Sequence, residues 1–307
     1  MRTVLLTVHS ARADATKVAI RITEDLRAHD IGVRVLDTDA EQLADAGLTG
    51  VTVVEAREGA AEGCELALVL GGDGTILRAA EMCRGTDTPV LGVNLGHVGF
   101  LAEADVDDIH DVVRRVVARD YDVEQRLTVD VVVSVAGEVV ATNWALNEAS
   151  VEKAARERML EIVVEIDDRP VSRWGCDGVV CATPTGSTAY NFSAGGPIVW
   201  PSVEALLMVP ISAHALFARP LVVSPESVLA IEVISSYSSG VLWCDGRRAA
   251  ELPPGARVEV SRGHAPVNLA RLHNAPFADR LVRKFDLPVT GWRGAAERRT
   301  DDRTGGS

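Results

Sequence analysis

Gly71-Gly72-Asp73-Gly74-Thr75 packs three glycines, a carboxylate and a hydroxyl into five residues directly after the apolar run ELALVL. Glycine tolerates positive φ and lets a ligand approach the main chain closely, and free N–H groups at the start of a following helix favour an anion such as a phosphate. The pattern is therefore phosphate-binding chemistry with an acid in its midst. It is neither a G-x-x-x-x-G-K-[ST] loop nor a G-x-G-x-x-G dinucleotide fingerprint. Alone, the pentamer also reads as a plain strand-to-helix turn capped by Asp73. A second stretch, Cys176 to Val199 (CDGVVCATPTGSTAYNFSAGGPIV), holds three turns rich in hydroxyls and free amides and contains no charged residue after Asp177. Ordinary connections between strands seldom keep so many small polar groups together, although a loop-rich β connection would account for it.

These residues need elements to hold them. VLLTV, the amphipathic run ATKVAIRITEDLRAHD and GVRVLD read as strand, helix and strand. Residues 38–63 show little pattern and read as a loop. ELALVL, the glycine turn, a helix from about Thr75 to Cys83 and the strand PVLGVNL follow, and right-handed crossovers make the sheet mostly parallel. From Leu127 the chain changes to short β-branched runs separated by turns, including TVDVVVSV, LEIVVEI, VLAIEVI and RVEVS. The expected organisation is an α/β domain with a mostly parallel sheet over 1–126 and an all-β domain over 127–270. A partly helical segment over 271–293 packs back on the first domain, and 294–307 form a disordered tail without apolar anchors.

Composition narrows the function. The 307 residues, 47% apolar and 24% charged, suit a soluble globular protein. A formal charge of −13 argues against nucleic acid as a partner. Five scattered cysteines with no C-x-x-C pair read as core-filling thiols of a reducing cytoplasm. Residues 178–203 are uncharged and long enough to span a bilayer, but their glycines and prolines would leave backbone groups unsatisfied in lipid, so no membrane association is expected. The seven histidines form no ligand spacing, so no metal bound by protein side chains is expected.

GGDGT, Asn147-Glu148, Asp177-Gly178, TPTGSTAY (183–190) and SAGGPI (193–198), in this order and spacing, resemble the NAD kinase family. NLGHVGFLAE (94–103), PISAHALFARP (210–220) and Cys244-Asp245-Gly246 extend the likeness over roughly Val4 to Trp292. GGDGT alone is shared with diacylglycerol-type lipid kinases. The resemblance implies phosphorylation of the 2′-hydroxyl of the adenosine ribose of NAD to give NADP. ATP or polyphosphate would be the donor, with Mg²⁺ carried on the donor's phosphates, at a site between the two domains. It makes Asp73 the general base, places the phosphate loop at Gly71, Gly72, Gly74 and Thr75, packs Gly74 against the ligand and sets Arg78 against phosphate charge. Asn147 and Glu148 would meet adenine edges and ribose hydroxyls, and Arg158 and Asp177 align with dinucleotide contacts. Thr188, Ala189, Tyr190, Asn191, Phe192 and Ser193 would line the adenine and ribose pockets, with Tyr190 stacking on a base. Arg247 stands where some relatives carry an amide. A homodimer or homotetramer is implied as well. Two rivals share some of these features: a lipid kinase, against which TAYNFSAGGPI and Asn147-Glu148 argue, and a non-catalytic NAD or NADP sensor, against which the intact Asp73 argues.

Overall fold

The computed structural model describes residues 2–9, 13–95, 99–102, 104–105, 109–156, 158–234, 238–272 and 276–289. The expectation for the tail at 294–307 lies outside them. The chain begins with β1 (Arg2–Val8), α1 (Ala13–Ala28), β2 (Ile31–Leu36), α2 (Asp37–Asp45), β3 (Thr52–Val54) and β4 (Leu66–Leu70). It continues through α3 (Asp73–Cys83), β5 (Val90–Asn94), β6 (Ala104–Asp105), α4 (Ile109–Ala118) and β7 (Asp122–Arg126). The all-β part contains β8 (Val129–Val135), β9 (Glu138–Ala145), β10 (Glu148–Lys153), β11 (Leu160–Ile166), β12 (Arg169–Cys176) and β13 (Gly178–Ala182). A 3₁₀ turn (Thr185–Thr188) and the single-turn α5 (Tyr190–Ser193) lead to β14 (Leu206–Ile211), β15 (Leu221–Val223) and β16 (Leu229–Val233). The last elements are β17 (Gly240–Cys244), β18 (Arg248–Leu252), β19 (Ala256–Arg262), β20 (Val267–Arg271) and α6 (Phe277–Phe285).

The first sheet has the order β3-β2-β1-β4-β5-β20-β7, with β6 beside β5. All its pairs are parallel except β20 with β7. Every residue of β4 (LALVL) is buried, as expected of a strand covered on both faces. On one face α1 and α4 bury Ala19, Ile22, Val112 and Val116 against Val4, Leu6 and Leu68. On the other, α3 buries Ile76, Ala79 and Ala80 against Leu5, Ala67 and Val69, and Trp144 and Leu146 of the β half join this core. The hydrophobic interior is thus continuous across the junction, on the face that carries α3.

The β half is a sandwich of two six-stranded antiparallel sheets, β15-β14-β13-β10-β17-β18 and β12-β11-β16-β19-β8-β9. Alternating inward residues of both, among them Val131, Val151, Ile162, Val179, Ile231 and Val258, form one core. All five cysteines lie buried and unbridged. Burial pushes the Cys83, Cys176, Cys181 and Cys244 thiols up to about 12, so these thiols pack as small hydrophobes.

The architecture expected from the sequence is present, with two differences. Residues 38–63 contain most of α2 and all of β3, where a loop was expected. The α2 helix buries only Asp39 and Leu43, so no apolar stripe announces it. The return to the first sheet begins at Val267, inside the stretch assigned to the all-β domain. β20 lies between β5 and β7 instead of extending the sandwich. VNLAR has the composition of any half-buried strand, and only long-range pairing decides which sheet receives it.

Candidate active site

β4 ends at Leu70, and the Gly71 N–H donates to the Val93 carbonyl at 3.0 Å, which fixes the turn against β5. Gly72 is the N-cap of α3 and Asp73 its first residue, so Asp73 is not the cap. None of Gly71, Gly72 and Gly74 has positive φ. Their smallness serves packing and access instead. A Cβ on Gly71 would meet the Thr75 side chain at 2.4 Å, whereas Gly72 and Gly74 face open space. The open space at Gly72 and Gly74 and the positive end of α3 suit an anion.

Asp73 is held from the neighbouring loop. The Phe100 N–H donates to its Oδ2 and the Leu101 N–H to its Oδ1, both at 3.1 Å. Gly99 permits this approach, since a Cβ there would lie 2.3 Å from Asp73 Oδ1. Both oxygens are thereby oriented by main-chain amides while Asp73 keeps partial exposure.

A second cluster forms at the start of β10. Asn147 and Glu148 are each 7% exposed. Asp245, itself buried, accepts hydrogen bonds from the Leu146, Asn147 and Glu148 N–H groups at 3.0, 2.7 and 3.4 Å. Gly186 packs so closely on this bend that a Cβ would lie 2.0 Å from the Asn147 carbonyl oxygen. The Thr183 hydroxyl donates to Leu146 O at 2.6 Å and accepts from the Gly186 N–H at 3.1 Å, so the 3₁₀ turn is tied to the same bend. Glu148 accepts a hydrogen bond from the Tyr190 N–H, but burial first and the Asp245 charge second push its carboxyl up to about 8. Its Oε2 has no partner. Tyr190 is raised by burial and by the charges of Glu152, Glu148 and Asp177, which face it. Asp177 pairs with Lys153 at 2.5 Å, and that hydrogen bond holds its carboxyl below the usual range.

The remaining sequence-derived candidates divide. Thr188, Ala189 and Tyr190 are partly exposed beside this cluster, and Phe192 and Ser193 are exposed. Asn191 is fully buried and turns inward, its Nδ2 donating to Ser187 O and Pro197 O at 3.2 and 3.0 Å, so it shapes the loop. Arg78 reaches away from the glycine turn to the buried Asp39 at 3.0 Å. Arg247 pairs with Glu81 near the end of α3 at 2.9 Å. Arg158 lies exposed on the connection between β10 and β11.

Two bridges join the Asp73 and Glu148 clusters. Arg248 pairs with Glu81 of α3, bonds Asp245 at 3.0 Å and Trp144 O at 2.7 Å, and lies 4.6 Å from the Trp144 ring. Arg84, at the other end of the same contact, lies 4.4 Å from that ring and pairs with Asp130 at 2.9 Å. The second bridge is α6. Phe285 stacks against Phe192 at 4.6 Å and Phe100 at 5.8 Å, and Phe277 against Phe100 at 5.9 Å and Trp200 at 5.0 Å. Sequence reasoning assigned no site role to Phe100, Leu101, Asp245 or Arg248. The signal for the first three was their place inside NLGHVGFLAE and Cys244-Asp245-Gly246.

Comparisons with known proteins place the chain in a family. The ATP-NAD kinase N-terminal domain model matches residues 4–121, and the ATP-NAD kinase C-terminal domain model matches residues 146–272. The chain is 62% identical over 295 residues to NAD kinase 2 of Streptomyces coelicolor, covering 96% of this chain and 98% of that one. It is 60% identical to the NAD kinase of Thermobifida fusca, covering 97% and 93%. The crystal structure of yeast NADH kinase complexed with NADH superposes with a TM-score of 0.86 at 23% identity, covering 95% of this chain and 89% of that one, a likeness of fold. An NAD kinase from Archaeoglobus fulgidus in complex with ATP gives a TM-score of 0.70 at 25% identity, with coverages of 92% and 98%. By family models over both halves and by relatives along nearly its whole length, the chain belongs to the NAD kinase family, whose reaction converts NAD to NADP.

Proposed function

We propose that Asp73 is the general base of this reaction and that the two clusters divide the substrates between them. The supporting observation is the Asp73 carboxylate, fixed by the Phe100 and Leu101 amides at the positive end of α3 beside two glycines that face open space. A ribose hydroxyl is a weak nucleophile, and a carboxylate in hydrogen-bond reach both aims it and accepts its proton. In the step, the 2′-oxygen of NAD attacks the terminal phosphorus of ATP, the bond to the departing diphosphate oxygen breaks, and the hydroxyl proton passes to Asp73. Gly71, Gly72, Gly74 and Thr75 form the phosphate turn, with Gly72 and Gly74 leaving room for the phosphates.

Asn147 and Glu148 receive the adenosine of NAD. Asn147 offers an amide to the base edge. Glu148, with an oxygen free of protein partners, offers a carboxyl to ribose hydroxyls. Thr188 to Ser193 flank them, with Asn191 acting through the loop, and Asp177 extends the polar rim. Arg78 and Arg247 are engaged by Asp39 and Glu81, so their contribution is to brace α2, α3 and the β17–β18 turn.

Among the described residues no group of three His, Cys, Asp or Glu side chains is arranged to hold a metal. A glycine turn with open space at Gly72 and Gly74 suits a triphosphate that brings its own Mg²⁺ with several coordinated waters. Such a cation would neutralise phosphate charge. Homo-oligomerisation through the β half fits its exposed Val139, Val140, Met159, Leu216, Phe217 and Val222. Unbridged buried thiols fit a cytoplasmic enzyme.

Purified protein offered NAD and NADH with ATP, other triphosphates or polyphosphate, and in parallel a lipid alcohol, tests the reaction and the donor together. NADP formation from NAD is expected. Lipid phosphorylation without any NADP would overturn the assignment, and light scattering of the same sample would report the oligomer.

A further inference from the structure

One face of α6 is turned on the loop that holds Asp73. Phe277, Arg280 and Phe285 have the spacing of a single helix stripe, and all three meet Phe100. The rings of Phe277 and Phe285 lie 5.9 and 5.8 Å from its ring. Arg280 Nη1 donates to the Phe100 carbonyl at 3.1 Å and to the Ala102 carbonyl at 3.4 Å. No residue of α6 is fully buried, so the helix adds a hold on this loop more than a layer to either core.

The Phe100 carbonyl and the Leu101 N–H belong to one planar trans peptide and point in opposite directions. The Leu101 N–H donates to Asp73 Oδ1 at 3.1 Å. A single peptide plane is thus gripped at one edge by a carboxylate and at the other by a guanidinium. The bond on the oxygen side is charge-assisted, and a cation there polarises the amide and strengthens its N–H as a donor. The preceding residue is Gly99, which leaves the backbone free to rotate, so the direction of this plane depends on what grips it.

We propose that Arg280 is a positioning residue for phosphoryl transfer: it fixes the Phe100–Leu101 peptide that aims the Asp73 carboxylate at the ribose hydroxyl. The inference rests on the reading of Asp73 as the general base. Arg280 acts through the loop, so its removal slows the chemical step and leaves substrate capture alone.

The test is steady-state kinetics with NAD, ATP and Mg²⁺ on the wild type, Arg280→Gln, Asp73→Asn and the double variant. Arg280→Gln should lower kcat about tenfold or more, the loss of one charge-assisted contact, with the KM values for NAD and ATP within about twofold. In the Asp73→Asn background the same change should cost no more than about twofold, because no base remains to be aimed. Unchanged kcat in Arg280→Gln beside a slow Asp73→Asn overturns this inference alone, as does a loss that falls on KM or that multiplies fully with Asp73→Asn. Near-normal turnover in Asp73→Asn overturns the general base and this inference with it. If Arg280→Gln fails to fold by circular dichroism, Arg280→Met, which keeps the apolar stem, makes the same comparison.

Discussion

The two acids at the centre of this molecule, Asp73 and Glu148, are held in opposite ways. Asp73 stands at the mouth of the α/β half, partly exposed, each oxygen met by a main-chain N–H. Glu148 is sunk at the start of β10, an interior strand of the sandwich, with one amide contact, a second buried carboxyl as neighbour and an oxygen with no partner. The same carboxyl chemistry is thus given two different environments, which the proposed roles use differently. In the proposed roles, the acid aimed by main-chain amides orients the attacking hydroxyl, whereas the acid whose charge burial disfavours shares hydrogen bonds with a ribose hydroxyl.

The contrast is broken most severely at Asp73. Asp73→Asn keeps the shape and removes the basic oxygen, so NADP formation should fall by about 10³-fold or more, within the range for a lost general base. NAD affinity by calorimetry should stay within a few-fold. Near-normal turnover in this variant would falsify the general-base role.

At Glu148 the expected effect is on stability and its sign follows from linkage. The folded carboxyl, raised to about 8, keeps a proton that the unfolded chain releases near about 4.3. Its contribution is fully present below the lower value and is lost as pH rises toward 8, amounting to roughly a few kcal/mol over that window. Glu148→Gln should flatten this fall in urea midpoint between pH 5 and pH 8. Equal slopes in both proteins would show that burial does not govern this acid.

Gly99→Ala sharpens the other side of the comparison. Its methyl would enter the space of Asp73 Oδ1, and misplacing a catalytic group by about 1 Å costs on the order of 10²-fold. Turnover should drop on that scale while the unfolding midpoint moves little, and a variant with full activity would mean that the amide cradle is dispensable. The smallest effect is expected of Arg247→Ala, because Arg248 also pairs with Glu81. A change of less than about 1 kcal/mol in unfolding free energy and an unaltered Michaelis constant for NAD are anticipated. A tenfold rise in that constant would instead bring Arg247 into the substrate pocket.

What the sequence disclosed followed the range of the interactions. The β4–glycine–α3 unit was legible because a fully apolar run, three glycines and a helical stripe are local signals. The glycines' purpose was not. Positive φ was the natural expectation, and the structure uses them for closeness to Thr75 and for open space. Arg78 and Arg247 read as phosphate or substrate ligands because their carboxylate partners, Asp39 and Glu81, come from elsewhere in the fold. Asp245 and Arg248 were invisible as organisers for the same reason. Their importance lies in binding the Leu146–Glu148 amides and α3, contacts that span about a hundred residues or more.

The placement of β20 has a consequence for how the protein is made. On the described pairing, β7 meets only β20, and β20 is the last strand among the described residues. The α/β half cannot complete its sheet until the entire sandwich has left the ribosome, and the aromatic bridge from α6 to Phe100 closes later still. Completion of the first half before the second has been made, the usual order for a growing chain, is thus precluded here. Asp73 is held by amides of its own half, and the brace that α6 adds at Phe100 comes only after the sandwich.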